Sequence, residues 1–97
     1  MLHLISDSTL SESVIARIAN DDDVILQAGA VWAAFHGHQD NPKINLLLTQ
    51  TPYVYALQDV LVMSGINQQQ LLLGVTAIDY AGFVELTVKN PVIHTWC

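Results

Sequence analysis

The segment Val75–Pro91 changes its hydrophobic period halfway, and no other feature of the sequence constrains the fold as strongly. Val75–Ile78 is a short apolar run of the kind that forms a buried strand. After Asp79 the apolar side chains recur three and four residues apart, which is the spacing of one helix face. These side chains are Tyr80, Phe83, Val84 and Val88. The segment therefore predicts a strand that leads directly into a helix capped by Asp79.

The same alternation of strand and helix patterns extends along the rest of the chain. Four further apolar runs have strand character: Leu2–Ile5, Val24–Leu26, Tyr53–Leu57 and Val92–Trp96. Tyr53–Leu57 is apolar at both odd and even positions, which is typical of a parallel strand covered on both faces. The order predicts an α/β fold: a single-domain, three-layer α/β/α arrangement with a mostly parallel sheet of about five strands.

Two of the predicted helices carry additional local signals. Thr9 and Glu12 have the spacing of a capping box, and apolar residues recur at every fourth position from Leu10 onward. Glu85 and Lys89 stand four residues apart in the last predicted helix, where opposite charges on neighbouring turns attract. These signals predict a capped first helix and an ion pair on the last one.

The length and the cysteine content indicate how many domains the chain forms and in which compartment it is found. With 97 residues, the expected organisation is one domain, residues 1–97. Cys97 is the single cysteine, so no disulfide can form within the chain, which fits a reducing compartment. The first residues lack the basic and apolar regions of a secretory signal, and no run approaches the roughly 20 apolar residues of a membrane span. We therefore predict a cytoplasmic protein.

The charge balance excludes some partners and predicts others. Three basic residues face nine acidic ones, a net charge of −6, which disfavours direct binding to nucleic acid and to anionic membranes. Charged residues make up 12% of the chain, against roughly 25% in ordinary soluble domains. Between Lys43 and Asp79 the only charged residue is Asp59. Because interface cores are depleted of charge, this region predicts assembly with other chains; the alternative is a Gln-rich monomer.

None of the familiar catalytic or ligand-binding patterns stands out in the sequence. His36, His38 and Asp40 lie close together in "HGHQD", but this spacing is not that of a structural zinc site and favours a solvated turn. Gly-rich phosphate loops are absent, and no Ser/His/acid set is apparent. Asp79 ends a strand, where ligand sites of α/β proteins often lie, but a lone carboxylate there fits a helix cap better. We predict no catalytic residue, metal ligand or cofactor site.

The lone thiol and the aromatic side chains are the remaining candidates. A reactive cysteine is activated by a helix N-terminus or by nearby cations, and Cys97 has no Lys or Arg within the last seven residues. It is therefore a weak candidate thiol. Tyr80, Phe83 and Trp96 are expected to be core or interface side chains.

Four sequence blocks closely resemble the DsrH/TusB family. "IDYAGFVELTVKNP" resembles the C-terminal signature of that family, and "VYALQDVLVMSGI" resembles its third strand and following helix. "VILQAGAVWAAF" resembles the second strand and turn, and a Trp lies at the extreme C-terminus. The resemblance covers nearly the whole chain.

The resemblance implies both a fold and a setting for function. It implies a DsrE/DsrF/DsrH-like fold and assembly with TusC-like and TusD-like paralogues into a dimer of heterotrimers. In the Tus branch, such a complex relays persulfide sulfur toward 2-thiouridine at the tRNA wobble position, with the accepting cysteine on the TusD-like chain. In the Dsr branch, the family member carries a cysteine in its first helix. The corresponding "LSESVIARIA" has none, so the resemblance favours a non-catalytic, structural subunit of a TusBCD-like complex.

Two other functional classes stay open at this point. The chain could be a DsrH-like subunit in sulfur oxidation, or a sulfur carrier that uses Cys97. Alternatively, it could be a small-ligand-binding α/β module that uses the strand ends near Asp7 and Asp79.

Overall fold

In a computed structural model, the chain forms one five-stranded sheet in which every strand pair is parallel. The structure describes residues 1–7 and 10–96. The strands are β1 (Leu2–Ile5), β2 (Asp23–Leu26), β3 (Val54–Leu57), β4 (Val75–Ile78) and β5 (Ile93–Trp96), in the order β4-β3-β2-β1-β5. The predicted α/β class and its parallel sheet of about five strands are confirmed.

Four α-helices and two 3₁₀ helices connect the strands. They are α1 (Glu12–Ala16), α2 (Asn41–Gln50), α3 (Gln58–Met63) and α4 (Tyr80–Lys89), with 3₁₀ helices at Ala28–Ala34 and Gln68–Gln70. The Ala-rich segment after β2 forms a 3₁₀ helix, and the polar connector after α3 contains one helical turn.

The first helix is shorter than its apolar spacing predicts. α1 is capped by Ser11, whose Oγ accepts a hydrogen bond from the Val14 amide at 3.3 Å. Thr9, which the capping-box spacing singled out, lies outside the described residues. Leu10 and Ile18 are buried on either side of the five-residue helix, so the spacing reports burial beyond the helix ends.

The strand order determines which face of the sheet each helix covers. From β1 to β4 each strand is added on the same side of its predecessor, and right-handed crossovers then place the intervening helices on one face. The connection from β4 to β5 runs back across the whole sheet, so α4 lies on the opposite face. The result is the predicted three-layer arrangement, with α4 as the only helix of the described residues on its side.

The main apolar core lies between the sheet and the helices α1, α2 and α3. Register places His3, Val24, Val54 and Val75 on this face, and Ile5, Leu26 and Ala56 follow two residues later. Ile15, Ile44, Leu47 and Leu61 close the core from the helix side, all buried. Burial of these side chains is the dominant favourable term in folding.

A polar contact holds α4 on the opposite face. Asp23 begins β2 and is 1% exposed; its Oδ2 accepts from Lys89 Nζ at 3.1 Å and from Asn90 Nδ2 at 3.0 Å. The predicted Glu85–Lys89 ion pair is therefore wrong. Lys89 turns to a buried carboxylate, which offers a stronger interaction than an exposed pair on the helix surface.

None of the helices in the described part of the chain is long and apolar enough to cross a membrane.

Leu47 and Leu46 are adjacent in α2 and provide a matched test of the core. Leu47 is 0% exposed and Leu46 is 42% exposed. We expect Leu47→Ala to lower the free energy of unfolding by about 2–5 kcal/mol because it leaves a cavity, and Leu46→Ala to change it by less than about 1 kcal/mol. Urea unfolding followed by circular dichroism measures both. Equal losses for the two variants would contradict this placement of the core.

Candidate functional site

Tyr80 and Phe83 lie together in the first turn of α4, but only one of them is a surface residue. Their rings are stacked, with centroids 6.3 Å apart and planes 15° apart. Tyr80 is 70% exposed, whereas Phe83 is half-buried. Tyr80 is therefore a candidate for contact with another molecule. The half-buried ring of Phe83 packs against the ring of Tyr80.

The Asp79 side chain has a structural role at the start of α4. It is the N-cap of α4, and its Oδ1 accepts a hydrogen bond from the Gly82 amide at 2.8 Å. The predicted cap is confirmed, and its carboxylate is committed to the start of the helix. Asp7 takes part in an interaction of its own.

An exposed apolar stripe continues from Tyr80 along α4 and into β5. Val84 and Val88 follow Tyr80 at intervals of four residues, so the three side chains share one flank of the helix. Val92 and Ile93 come next along the chain. The exposed fractions of these side chains are 39% for Val84, 80% for Val88, 51% for Val92 and 44% for Ile93. We call these five residues, Tyr80 included, the α4–β5 surface; exposed apolar patches of this kind often mark interaction sites.

A second group of exposed apolar residues belongs to the charge-poor middle of the chain. Val62 and Met63 at the end of α3 are 70% and 87% exposed, and Leu73 is 98% exposed. We call Val62 and Met63 the α3 surface, and Leu73 lies in the segment before β4. Together the two surfaces account for seven of the large apolar side chains that the fold leaves exposed.

A groove of about 380 Å³ runs beside α4 on the flank that faces β3 and β4. Its lining residues are Tyr55, Ile78, Gly82, Glu85, Leu86 and Lys89. Burial, followed by the negative charge of Asp23, raises the pKa of the Tyr55 hydroxyl above 10.0. Tyr55 therefore keeps its proton near neutral pH and presents a hydroxyl rather than a charge.

Trp96 is the anchor of the last strand. Its indole Nε1 donates a hydrogen bond to His3 Nδ1 at 3.0 Å, and the two rings stack with centroids 6.2 Å apart. The Arg17 guanidinium lies 5.8 Å from the Trp96 ring centre, within the range of a cation–π contact. Trp96 packs against the main core from its edge. Trp96 thus contacts other side chains of this chain, and its predicted role as a core or interface residue stays a prediction.

His3 and Asp22 extend this contact into a buried polar cluster that sequence reasoning missed. His3 is 1% exposed and its Nε2 lies 2.8 Å from Asp22 Oδ2. Because Trp96 can only donate, His3 Nδ1 must accept, and Nε2 carries the proton that is donated to Asp22. Asp22 also accepts from the Ala19 amide at 2.9 Å and from the N-terminal amine at 3.2 Å.

These hydrogen bonds change the acidity of Asp22. Partial burial raises the pKa of the carboxyl, but hydrogen bonds from the Ala19 amide, His3 and the N-terminal ammonium outweigh burial and lower the pKa below the ordinary 3.8. A signal for the cluster was present in the sequence, since a histidine within an apolar strand needs a buried polar partner. Nothing in the sequence, however, showed which of the three consecutive aspartates supplies it.

The loop that contains His36, His38 and Asp40 does not form a cluster of metal ligands. His38 Nδ1 accepts from the Asp40 amide at 3.1 Å and lies 3.5 Å from Asp40 Oδ2, while the His36 amide donates to the Gln70 carbonyl at 2.7 Å. Within residues 1–7 and 10–96, no three His, Cys, Asp or Glu side chains come close enough together to hold a metal. Cys97, the weak candidate thiol, lies outside the described residues.

Comparison with known sequences identifies relatives along the full length of the chain. The profile of a family described as DsrH like protein matches residues 6–92. Protein TusB of Escherichia coli K12 is 31% identical over 99 residues, which covers 99% of this chain and all of that protein. Protein TusB of Shigella flexneri has the same identity and coverage.

Comparison with solved structures bears on the fold alone, because the identities are low. The ychN protein of E. coli superposes with a TM-score of 0.77 at 19% identity, covering 98% of this chain and 97% of that one. MTH1491 of Methanobacterium thermoautotrophicum, a protein of unknown function, superposes with a TM-score of 0.69 at 14% identity, covering 98% and 96%.

The two tryptophans allow a matched test of the Trp96 anchor. We expect Trp96→Phe to lower the free energy of unfolding by about 1–3 kcal/mol, because it removes the hydrogen bond to His3 and leaves a buried acceptor without its donor. Trp32 is 39% exposed, and Trp32→Phe should cost less than about 1 kcal/mol. Guanidinium unfolding measures both variants. A larger loss for Trp32→Phe would argue against the anchor.

The lowered pKa of Asp22 predicts how stability depends on pH. A carboxylate with a folded pKa below its unfolded value of about 3.9 stabilises the protein above that pH, and this contribution is lost as the pH falls toward the folded pKa. We expect Asp22→Asn to lower the free energy of unfolding by about 1.5–3 kcal/mol at pH 7. The gap between wild type and variant should shrink below about pH 4.

Asp21→Asn is the control for this experiment, because Asp21 is the exposed neighbour of Asp22. It should leave stability within about 0.5 kcal/mol of wild type throughout the same pH range. Unfolding curves in urea at pH 7, 5 and 3 provide the measurement. A wild-type advantage over Asp22→Asn that stays constant down to pH 3 would refute the role given to the carboxylate.

Proposed function

The chain belongs to the DsrH family, and we propose that it is a subunit of a TusBCD-like complex that relays persulfide sulfur for 2-thiolation of the tRNA wobble uridine. The observation that carries this proposal is the match along the whole chain to proteins named TusB. We propose TusC-like and TusD-like paralogues as its partners in a dimer of heterotrimers. The proposed location is the cytoplasm.

The surface of the chain supports a role in assembly. Residues 44–78 hold a single charged side chain, Asp59, and two groups of apolar residues, the α4–β5 and α3 surfaces, are exposed. Charge-poor and apolar surfaces are typical of the cores of stable interfaces. A subunit that contributes contacts would need such surfaces, whereas an independent monomer would gain nothing from them.

The chemistry of sulfur relay supports an accessory rather than a catalytic role. Persulfide transfer proceeds when a thiolate attacks a sulfur–sulfur bond, so a donor or acceptor needs a thiol held in a defined place. The segment of the first helix, Leu10–Ala19, has no cysteine, and the single cysteine, Cys97, has no Lys or Arg among the six residues before it. We propose that the partners carry the reactive thiol and that this chain stabilises their arrangement. No direct contact with tRNA is proposed, in keeping with the net charge of −6.

Genetic complementation with a thiol-free variant tests this function. In cells that lack the chain, wild type and Cys97→Ser should restore 2-thiouridine in tRNA to the same level, measured by mass spectrometry of digested nucleosides. Both should co-purify with the TusC-like and TusD-like chains.

The other outcomes separate the alternatives. Restoration by wild type but not by Cys97→Ser, with a gain of one sulfur atom on Cys97, would support the sulfur-carrier hypothesis. Unchanged 2-thiouridine after loss of the chain, with impaired sulfur oxidation, would support the Dsr-branch hypothesis. Recovery of wild type as a free monomer in the presence of both paralogues would refute the proposal.

A further inference from the structure

We propose that the outer edge of β5 is an interaction surface on which a second copy of this chain adds its own β5 in antiparallel orientation, and that Gln68 closes the other edge of the sheet to such pairing. The contact needs only this chain, so it goes beyond the function proposed above and does not depend on it. Three observations carry the proposal: the open backbone groups of β5, the closed edge of β4, and the uncharged, self-complementary pattern of β5.

The outer side of β5 has open backbone hydrogen-bonding groups. Along a strand, successive residues direct their N–H and C=O groups alternately to one side and to the other. The Leu2 amide donates to the Val92 carbonyl at 3.1 Å, so His94, two residues later, also faces β1. Ile93 and Thr95 therefore face outward. Among the described residues, no hydrogen-bond partner reaches their two N–H and two C=O groups.

The opposite edge of the sheet is closed by a side chain. Val75 and Ala77 are the outward-facing residues of β4. The side chain of Gln68 donates from Nε2 to the Val75 carbonyl at 3.2 Å and accepts at Oε1 from the Ala77 amide at 3.0 Å. The Val75 amide donates to the Leu72 carbonyl at 3.2 Å. Three of the four outward groups of β4 are thus satisfied within the chain, and Gln68 occupies the place of an added strand.

The side chains of β5 do not protect its edge. Natural edge strands are commonly protected by Lys, by Pro or by a bulge. Residues 93–96 contain no charged side chain and no Pro, and their register with β1 is continuous. Ile93, His94 and Thr95 are all exposed. Another strand therefore has access to β5 along its outer side.

The spacing of the open groups matches β5 to itself. With two copies of β5 antiparallel and Ile93 opposite Thr95 of the second copy, the two residues exchange both of their backbone hydrogen bonds. A two-fold axis generates a second pair of the same kind, so all the outward groups of both strands are satisfied. The same alignment places the two His94 residues directly opposite each other, with Cα atoms about 4.5 Å apart.

Charge and topology favour a second copy as the occupant. A second copy can offer only β5, because Gln68 closes its β4 edge. The net charge of −6 on each copy opposes association, but residues 90–96 carry no Asp, Glu, Lys or Arg. No like charges therefore stand opposite each other across the two strands, and more distant charges are screened beyond about 8 Å at physiological ionic strength. An uncharged strand gives a foreign segment no charge to recognise, whereas self-pairing uses every open group.

Amide hydrogen exchange of the full-length chain, followed by NMR in dilute and in concentrated solution, tests the pairing directly. The amide of His94 should be protected in both solutions, because it is directed at β1. The amides of Ile93 and Thr95 should exchange freely in dilute solution and at least about tenfold more slowly in concentrated solution, because paired amides exchange only when the structure opens. Sedimentation velocity should show a monomer–dimer equilibrium over the same range.

Two substitutions in β5 and one outside it test the contact by mutation. Thr95→Pro removes an outward N–H from each copy, leaves the bonds to β1 in place, and suits an edge strand. It should weaken dimerisation at least about tenfold, because two hydrogen bonds are lost from each dimer. His94→Lys should weaken dimerisation severalfold, because it sets like charges directly opposite each other. His36→Lys, the same change at an exposed turn, should leave dimerisation unchanged.

A second matched pair examines the closed edge. Gln68→Ala frees the Val75 carbonyl and the Ala77 amide. We expect it to form species larger than a dimer, because a sheet with two open edges can extend without closing. Gln69→Ala alters the exposed neighbour in the same 3₁₀ turn and should leave the dimer unchanged. Thermal unfolding of each variant checks the fold.

Each outcome either supports the proposal or overturns a stated part of it. Concentration-dependent protection of Ile93 and Thr95, with weaker dimers for Thr95→Pro and His94→Lys but not for His36→Lys, supports pairing through β5. A wild type that stays monomeric, or a dimer that leaves both amides unprotected, overturns it. Protection of these amides only in a complex with another protein overturns the choice of occupant. A Gln68→Ala variant that forms nothing larger than the dimer overturns the role given to Gln68.

Discussion

The last crossover must carry the chain from β4, at one edge of the sheet, to β5, at the other, and one ten-residue helix makes that connection. Three helices close the opposite face and bury the main core, so stability does not require α4 to cover its own face completely. α4 is held at one end by the Asp79 cap and at the other by the contact of Lys89 and Asn90 with Asp23. With these polar contacts at its two ends, the helix keeps an exposed apolar outer flank that includes Tyr80, Val84 and Val88.

The buried polar cluster links the last strand to the start of the chain. β5 pairs only with β1, so half of its backbone hydrogen-bonding groups lack a strand partner. Trp96 adds a side-chain contact to this single strand pairing by donating to His3, and His3 in turn donates to Asp22. Each buried group in this chain of hydrogen bonds has a partner, which is the condition under which a buried polar network stabilises a fold. The C-terminal strand is therefore fixed by side chains as much as by its own backbone.

The sequence pattern was sufficient for the elements whose period is unambiguous. β1, β4 and α4 follow the predicted boundaries because short apolar runs and the three-to-four spacing after Asp79 report burial directly. The length of α1 was not predictable, because Leu10 and Ile18 are buried by tertiary contacts outside the helix. Ion pairs between residues distant in sequence could not be predicted from the sequence either. Lys89 binds a carboxylate 66 residues away instead of one four residues away, since the closer partner is exposed and the distant one is buried.

Partial coverage of one sheet face is compatible with the accessory role that we propose for this chain. The fold supplies two separable features: a well-packed core on the α1–α3 side, and a helix with an exposed apolar flank on the α4 side. In the role proposed above, the fold would need only to present that flank in a fixed orientation. Because α4 is pinned at both ends, the exposed flank from Tyr80 to Val88 is presented without the entropy cost of ordering a flexible segment on binding.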